Sequence, residues 1–229
     1  TVTTPTEPEK PTPTEPEKPT PNPTEPEQPE PSKPETPTEP DEPSDGIEWT
    51  YKDNGNGTAT LTGYNKSGEK VPSGAVTIPR KVGEKKLTVT AIGNNCFYQD
   101  NNITSVVIPD TVKSIGANAF YACRNLSAVT FPEGLQTIGT YAFQNCIALE
   151  SIALPKKITT ISGCLFNGCT SLSSVVIPEG VVNIEYDAFN NCSAMEKIVL
   201  PNGVRNIGNE AFMGCKALKE ITLPDSITT

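Results

Sequence analysis

The chain of 229 residues contains no histidine, and this absence removes a large part of catalytic and metal-binding chemistry. Without an imidazole, no Ser-His or Cys-His nucleophilic pair can form, and no metal can be held by histidine nitrogen. No apolar run approaches the roughly 20 residues that span a membrane, so we expect no membrane insertion in this segment. We also expect no enzymatic activity and no cofactor.

The net negative charge lies in the amino-terminal part of the chain. The formal net charge is −9, and residues 1–46 account for all of it with 12 acidic groups and 3 lysines. Residues 47–229 contain 15 acidic and 15 basic side chains and are therefore neutral. A neutral domain lacks the basic surface that attracts nucleic acids and anionic membranes. We therefore expect neither of these as a partner.

Residues 1–46 also lack apolar side chains apart from Val2. The segment holds 15 of the 23 prolines, and the octapeptide PTEPEKPT at 5–12 is repeated letter for letter at 13–20. Proline removes an amide donor, and a segment with one valine cannot offset its ordering entropy by burial. We predict a disordered, extended spacer; a docking ligand for proline-reading domains and an end without a role are the alternatives.

A 23-residue period runs through the second part of the chain. An apolar residue followed by proline recurs at 108–109, 131–132, 154–155, 177–178, 200–201 and 223–224, with an earlier copy at 78–79. One position of the unit is always phenylalanine: Phe97, Phe120, Phe143, Phe166, Phe189 and Phe212. A single unit cannot bury its apolar side alone, so the period predicts a solenoid in which neighbouring units stack.

Within each unit the apolar spacing predicts two extended segments and a turn. In the unit 108–130, the residues that follow Leu126 have the spacing of a leucine-rich repeat strand, and 112–115 suits a short strand on the opposite side. Ala119 is predicted to begin a single helical turn, and Gly116 to supply a conformationally free bend before it. The residue before each cysteine suits a left-handed exit in most units.

These units resemble the BspA-like leucine-rich repeat family, because the pattern L-x-x-V-x-I-P-x-x-V-x-x-I-G-x-x-A-F-x-x-C recurs over 78–229. The resemblance implies a mainly β solenoid with a parallel sheet on one face, and short rungs and single helical turns on the other. It also implies a surface-exposed or secreted protein of a host-associated microbe that adheres to host proteins. The departures are Cys164-Leu165 before the phenylalanine, Glu185 for glycine, and Asp100 for the cysteine.

The solenoid is predicted to carry an amino-terminal cap. Two alternating segments are joined by an Asp/Asn/Gly cluster at 53–57, which predicts a β-hairpin; the alternative, a calcium loop, lacks a carboxylate where Tyr64 stands. The predicted domains are the spacer 1–46, the cap 47–77, and the solenoid 78–229 with a variant repeat 78–107, five repeats over 108–222 and a truncated repeat 223–229. We expect the natural protein to continue beyond this segment.

Five of the seven cysteines occupy one position of the repeat: Cys123, Cys146, Cys169, Cys192 and Cys215. Stacked strands place such side chains about 4.8 Å apart with parallel Cβ vectors, whereas a disulfide needs converging Cβ atoms about 3.8 Å apart. A straight column cannot surround zinc tetrahedrally either. We predict a buried structural thiol ladder, with Cys96 also buried and Cys164 as the most exposed thiol.

The strand positions between the inward side chains predict an exposed surface, which we call the strand face. It consists of Ser105, Val107, Ala128, Thr130, Ser151, Ala153, Ser174, Val176, Lys197, Val199, Glu220 and Thr222. Tyr98, Tyr121, Tyr141 and Tyr186 are predicted as aromatic anchors in nearby loops. The alternative is a close-packed sheet face without a ligand.

The predicted function is an adhesin-like, non-enzymatic, protein-binding module displayed on the spacer. Its partner is expected to be a protein or glycoprotein of a host or a neighbouring cell. Its location is expected to be the bacterial cell surface, wall-associated, or the secreted fraction. The alternative is a structural stalk within a larger surface protein.

Overall fold

The computed structural model describes residues 46–228, which form β-strands and tight turns without any helix. The predicted spacer lies outside the described residues, apart from Gly46. The strands are β1 Trp49–Asp53, β2 Thr58–Tyr64, β3 Gly74–Thr77, β4 Lys81–Val82, β5 Leu87–Ile92, β6 Ile103–Val107, β7 Ser114–Ile115, β8 Ala128–Thr130, β9 Thr137–Ile138, β10 Ser151–Ala153, β11 Thr160–Ile161, β12 Ser174–Val176, β13 Asn183–Ile184, β14 Lys197–Val199, β15 Asn206–Ile207 and β16 Glu220–Thr222. This alternation of two strand types confirms the predicted mainly β leucine-rich repeat solenoid.

The short strands form one side of the solenoid, and the hairpin extends it. Strands β1 and β2 pair antiparallel, β2 then pairs in parallel with β5, and β5, β7 and β9 follow in order, with β4 beside β5. Strands β11, β13 and β15 form a separate parallel sheet. The register advances by one repeat at each step, so that Ile161 lies opposite Ile184 and Ile184 opposite Ile207.

The longer strands form the other side, in the groups β3-β6-β8, β10-β12 and β14-β16. All of these pairs are parallel. Strand β3 lies inside the segment predicted as the cap, yet it pairs with β6 and places Val76 opposite Val106. The long-strand side therefore begins before the first complete repeat, because the sequence before Pro79 already has the strand spacing.

Phenylalanine side chains form the centre of the core, as the period predicts. Successive rings from Phe97 to Phe212 stack with centroids 5.1 to 6.0 Å apart and interplanar angles of 3 to 20°. The first five rings are at most 1% exposed. Burial of such a side chain stabilises a fold by about 1.5–3 kcal/mol, so the column is a large part of the core.

The turn after each short strand differs from the prediction. Tyr121 N donates to Asn118 O at 3.1 Å, and Cys123 N donates to Phe120 O at 3.2 Å. Asn118 and Ala122 both have a φ of 53°, in the left-handed region. A positive φ interrupts a helix, so the predicted single helical turn is corrected to two consecutive tight turns. The left-handed exit before the cysteine is confirmed, and Ala122 adopts it without being glycine.

Glycine after the short strand also has a different role from the one predicted. Gly116, Gly139 and Gly208 are not left-handed; instead a Cβ at Gly139 would lie 2.5 Å from Ala117 N. The missing side chain therefore lets neighbouring rungs approach closely, rather than freeing a bend. Where glycine is replaced, the side chain makes a bond: Glu185 Oε2 accepts from Gly163 N at 2.8 Å.

Candidate protein-binding face

The strand face lies on the six strands β6, β8, β10, β12, β14 and β16, as the spacing predicts. Its twelve residues are exposed or half-buried, while the residue between each pair is buried or packs against the core. Equivalent residues lie opposite each other one repeat apart: Ala153 opposite Val176, and Lys197 opposite Glu220. The face is thus an ordered set of two outward columns of side chains.

The chemistry of the strand face changes along the stack. From β6 to β12 its side chains are small and uncharged: Ser105, Val107, Ala128, Thr130, Ser151, Ala153, Ser174 and Val176. On β14 and β16, Lys197 lies opposite Glu220, and beside them Lys219 Nζ contacts Glu196 Oε2 at 3.1 Å. Small uncharged side chains permit close approach of another surface, and charged residues belong to the rim of such contacts.

The four tyrosines lie on the turns and form two groups rather than one. Tyr98 and Tyr121 stack with ring centroids 4.9 Å apart and planes 6° apart. The hydroxyl oxygens of Tyr141 and Tyr186 lie 3.4 Å apart, and this hydrogen bond is the first cause that raises the pKa of Tyr141 to about 12. The structure therefore places the four predicted anchors on turns, outside the strands that carry the strand face.

The five repeated cysteines lie inside the solenoid and are free thiols. Each Sγ donates to the carbonyl oxygen of the phenylalanine in the preceding unit, at 3.0 to 3.3 Å. In the first four cysteines of the column the thiol is buried, and Cys215 is half-buried. Burial raises the pKa of Cys123 to about 12 and holds those of Cys146 and Cys169 well above the usual value. These thiols therefore stay protonated and can donate.

Cys164 was predicted to be the most exposed thiol, and this prediction is wrong. Its side chain is 5% exposed, and burial raises the pKa of its thiol. Cys164 occupies a left-handed turn position with a φ of 55°, and its backbone N donates to Tyr186 O of the next unit at 2.9 Å. The turns of adjacent units pack on each other, so a variable turn position is not necessarily an exposed one.

One pair of polar residues was missed by the sequence reasoning. Asp100 stands where later units have cysteine, and its carboxylate accepts from Tyr64 Oη at 2.7 Å and from Asn102 N at 3.0 Å. Burial, followed by the Asp100 carboxylate, raises the pKa of Tyr64. The replaced cysteine was a signal for Asp100, but its partner on β2 could be identified only from the fold.

In residues 46–228, no three His, Cys, Asp or Glu side chains are grouped so that they could hold a metal ion. No helix long and apolar enough to cross a membrane is present within the same range.

Solved structures of bacterial leucine-rich repeat proteins match the chain. The leucine-rich repeat protein of T. pallidum is 29% identical with a TM-score of 0.71, and the match covers 81% of this chain and 84% of that one. A leucine-rich cell surface protein of Faecalibacterium prausnitzii is 33% identical with a TM-score of 0.60, covering 76% and 52%. A leucine-rich repeat protein of Bacteroides ovatus is 26% identical with a TM-score of 0.60, covering 80% and 53%. The chain thus spans about half the length of the last two.

The family comparison agrees with the repeat seen in sequence and structure. Comparison with curated proteins gave no match. The model of the BspA-type leucine-rich repeat region matches residues 90–196 and 182–229 with six copies. The matched residues are the same units that carry the stacked phenylalanines and the thiol column. The chain therefore belongs to the BspA-type leucine-rich repeat family, whose fold is that of a repeat protein-interaction module.

Proposed function

We propose that this chain is an adhesin-like, non-enzymatic module that binds a protein or glycoprotein of a host or neighbouring cell through the strand face. The observation that carries the proposal is the uncharged stretch of that face from β6 to β12, whose small side chains stand in register within the pairs β6–β8 and β10–β12. Close-packed contact with few charged groups is typical of the centre of a protein interface. The F. prausnitzii relative is a cell surface protein, which supports a cell-surface location, wall-associated or secreted.

A matched pair of double variants tests the strand face. Ala153 is exposed and Val176 half-buried, and they lie opposite each other on β10 and β12. Ala153→Arg with Val176→Arg places two long charged side chains where a partner must approach. Thr137→Arg with Thr160→Arg is the control, since those residues have the same two degrees of exposure on the short-strand side.

The measurement is binding to an array of secreted and extracellular-matrix glycoproteins, followed by titration of each ligand found. We expect the strand-face variant to lose at least about tenfold in affinity while the control stays within about twofold. Equal affinity of both variants for every ligand would reject the assignment. Circular dichroism of both variants shows that the fold is retained.

The second candidate function is a structural stalk. The stacking of phenylalanine rings from Phe97 to Phe212 supports this role, because it couples each unit to its neighbours. A stalk needs no ligand. Absence of binding on the array, together with resistance of the solenoid to extension under mechanical force, supports this role. In either role, residues 1–46 are proposed as the spacer that separates the solenoid from its attachment.

A further inference from the structure

A cleft of about 410 Å³ opens between the loop after β2 and the turn of the first repeat. Tyr64 and Lys66 line it from one side, and Tyr98, Asp100 and Asn102 from the other. This volume lies within the range of about 300–1,000 Å³ typical of small-ligand sites. No residue of the strand face lines the cleft.

An aromatic platform borders the cleft. The Tyr98 side chain is 40% exposed, and one face of its ring stacks on Tyr121 of the next unit. The opposite face is therefore presented beside the cleft by a ring that is already held in place and loses little conformational entropy on binding. The equivalent positions of later units hold Gln144, Asn167, Asn190 and Met213, so the platform belongs to this end of the stack.

A carboxylate lies deep in the same cleft. Asp100 is only 7% exposed, and its carboxylate accepts one hydrogen bond from Tyr64 Oη and one from Asn102 N. A carboxylate offers about four acceptor positions, so about two remain for donors that enter the cleft. The exposed side-chain amides of Asn101 and Asn102 add donors at the rim, while Asn101 Oδ1 already accepts from Arg124 N at 2.9 Å. Hydroxyl groups are neutral donors that can fill these positions.

We propose that this cleft binds a neutral saccharide, with one sugar ring against Tyr98 and two neighbouring hydroxyls donating to Asp100. A pyranose has a face of C–H groups, which packs on an aromatic ring, and an edge of hydroxyls, which satisfies a buried carboxylate. The sugar is neutral because Asp100 repels a second carboxylate and Lys66, which lines the same cleft, repels a cationic group. An extended peptide is less suited, because the polar groups of the cleft are side chains grouped at one point rather than an open strand edge.

The test is an NMR titration of the full 229-residue chain with glucose, galactose, mannose and N-acetylglucosamine. We expect saturable shifts in the backbone amides of residues 98–102, with a dissociation constant on the order of millimolar for the best sugar. Tyr98→Ala should weaken binding about tenfold or more. Met213→Ala is the matched control, since Met213 occupies the equivalent position of the last complete unit and is 51% exposed, and it should change binding by less than about twofold.

Asp100→Asn should also weaken binding, because an amide offers fewer acceptor positions than a carboxylate. If Asp100→Asn does not fold because the Tyr64 contact is altered, Tyr98→Ala alone decides, since Tyr98 is an exposed side chain. The proposal is overturned if no sugar gives saturable shifts, or if Tyr98→Ala binds as the parent does. It is also overturned if N-acetylneuraminic acid binds more tightly than every neutral sugar, or if a short peptide shifts these amides where sugars do not.

Discussion

In this 229-residue chain, the first and the last complete units of the repeat stack are buried to different degrees. At the first unit, Trp49 and Tyr64 of the cap lie against Phe97, with ring centroids 6.1 and 6.3 Å away, and Phe97 is 1% exposed. At the last complete unit, Phe212 is half-buried and Met213 is 51% exposed. The same column residue is therefore buried or not according to what stacks on it. Each unit is stabilised by the units packed against it, as expected for a solenoid.

The largest expected effect concerns the buried thiols of the covered units. Cys96, Cys123, Cys146, Cys169 and Cys192 are buried, and burial raises the pKa of each thiol above its ordinary value of 9.0. Above about pH 9 the unfolded chain loses these protons and the native chain keeps them, so stability falls as pH rises. The free energy of unfolding should fall by about 1.4 kcal/mol per pH unit for each buried thiol.

Urea unfolding between about pH 8 and pH 10 measures this loss, because the range brackets the thiol pKa of the unfolded chain. The end of the stack supplies the comparison, since Cys215 is half-buried. Native-state reaction with a thiol reagent should label Cys215 first. Constant stability up to about pH 10 would contradict the expected effect of the buried thiols. Equal labelling of Cys146 and Cys215 would contradict the expected difference between a buried and a half-buried thiol.

The next effect compares two phenylalanines of the same column. Phe143→Ala removes a fully buried ring with neighbours on both sides and should cost about 3–5 kcal/mol. Phe212→Ala removes a half-buried ring that stacks on one side, and should cost less than half as much. Chemical denaturation of both variants checks the difference. Similar losses would show that position in the stack does not set the contribution of the ring.

A smaller effect concerns glycine between rungs. A Cβ at Gly139 would meet backbone atoms of Ala117 at 2.5 and 2.9 Å, so Gly139→Ala should cost about 1–3 kcal/mol. Gly180→Ala is the control, because its Cβ would meet the nearest atom, Lys156 O, at an ordinary 3.4 Å; its effect should stay within about 0.5 kcal/mol. The two thermal midpoints decide whether close approach of rungs, rather than flexibility, requires glycine.

The smallest expected effect is the loss of stability when one cysteine of the thiol column is replaced by alanine. Cys169→Ala removes a buried donor to Phe143 O and leaves a small cavity, at a cost of about 1–2 kcal/mol. Cys215→Ala removes the same bond from a half-buried position and should cost less than about 1 kcal/mol. The midpoints of urea denaturation measure both. A larger loss at Cys215 would contradict the smaller contribution expected of a half-buried thiol.

The period made most of the fold predictable from the sequence. Residues at the repeated positions, such as Phe120 and Cys123, have equivalent neighbours one unit away, so their burial follows from the repeat alone. The turn did not follow, because a left-handed φ at Ala122 is set by tertiary packing against local preference. Cys164 was misplaced for a related reason: its burial depends on the turn of the next unit.

The two candidate sites also differ in whether they could be predicted from the sequence. The strand face could be read from the two-residue alternation of each strand, which fixes the direction of Ala153 and Val176. The cleft beside Tyr98 could not, because it depends on a long-range contact between Tyr64 and Asp100. The contacts between the cap and the first repeat do not recur in later units, so the 23-residue period does not predict them.

Native-state hydrogen exchange tests the central claim that each unit is stabilised by the units stacked on it. The amide of Cys146, which donates to Phe143 O, and that of Cys123, which donates to Phe120 O, should exchange slowly and at similar rates. The amide of Cys215, which donates to Phe212 O in the half-buried last complete unit, should exchange much faster. Uniform protection from the first unit to the last would contradict the account.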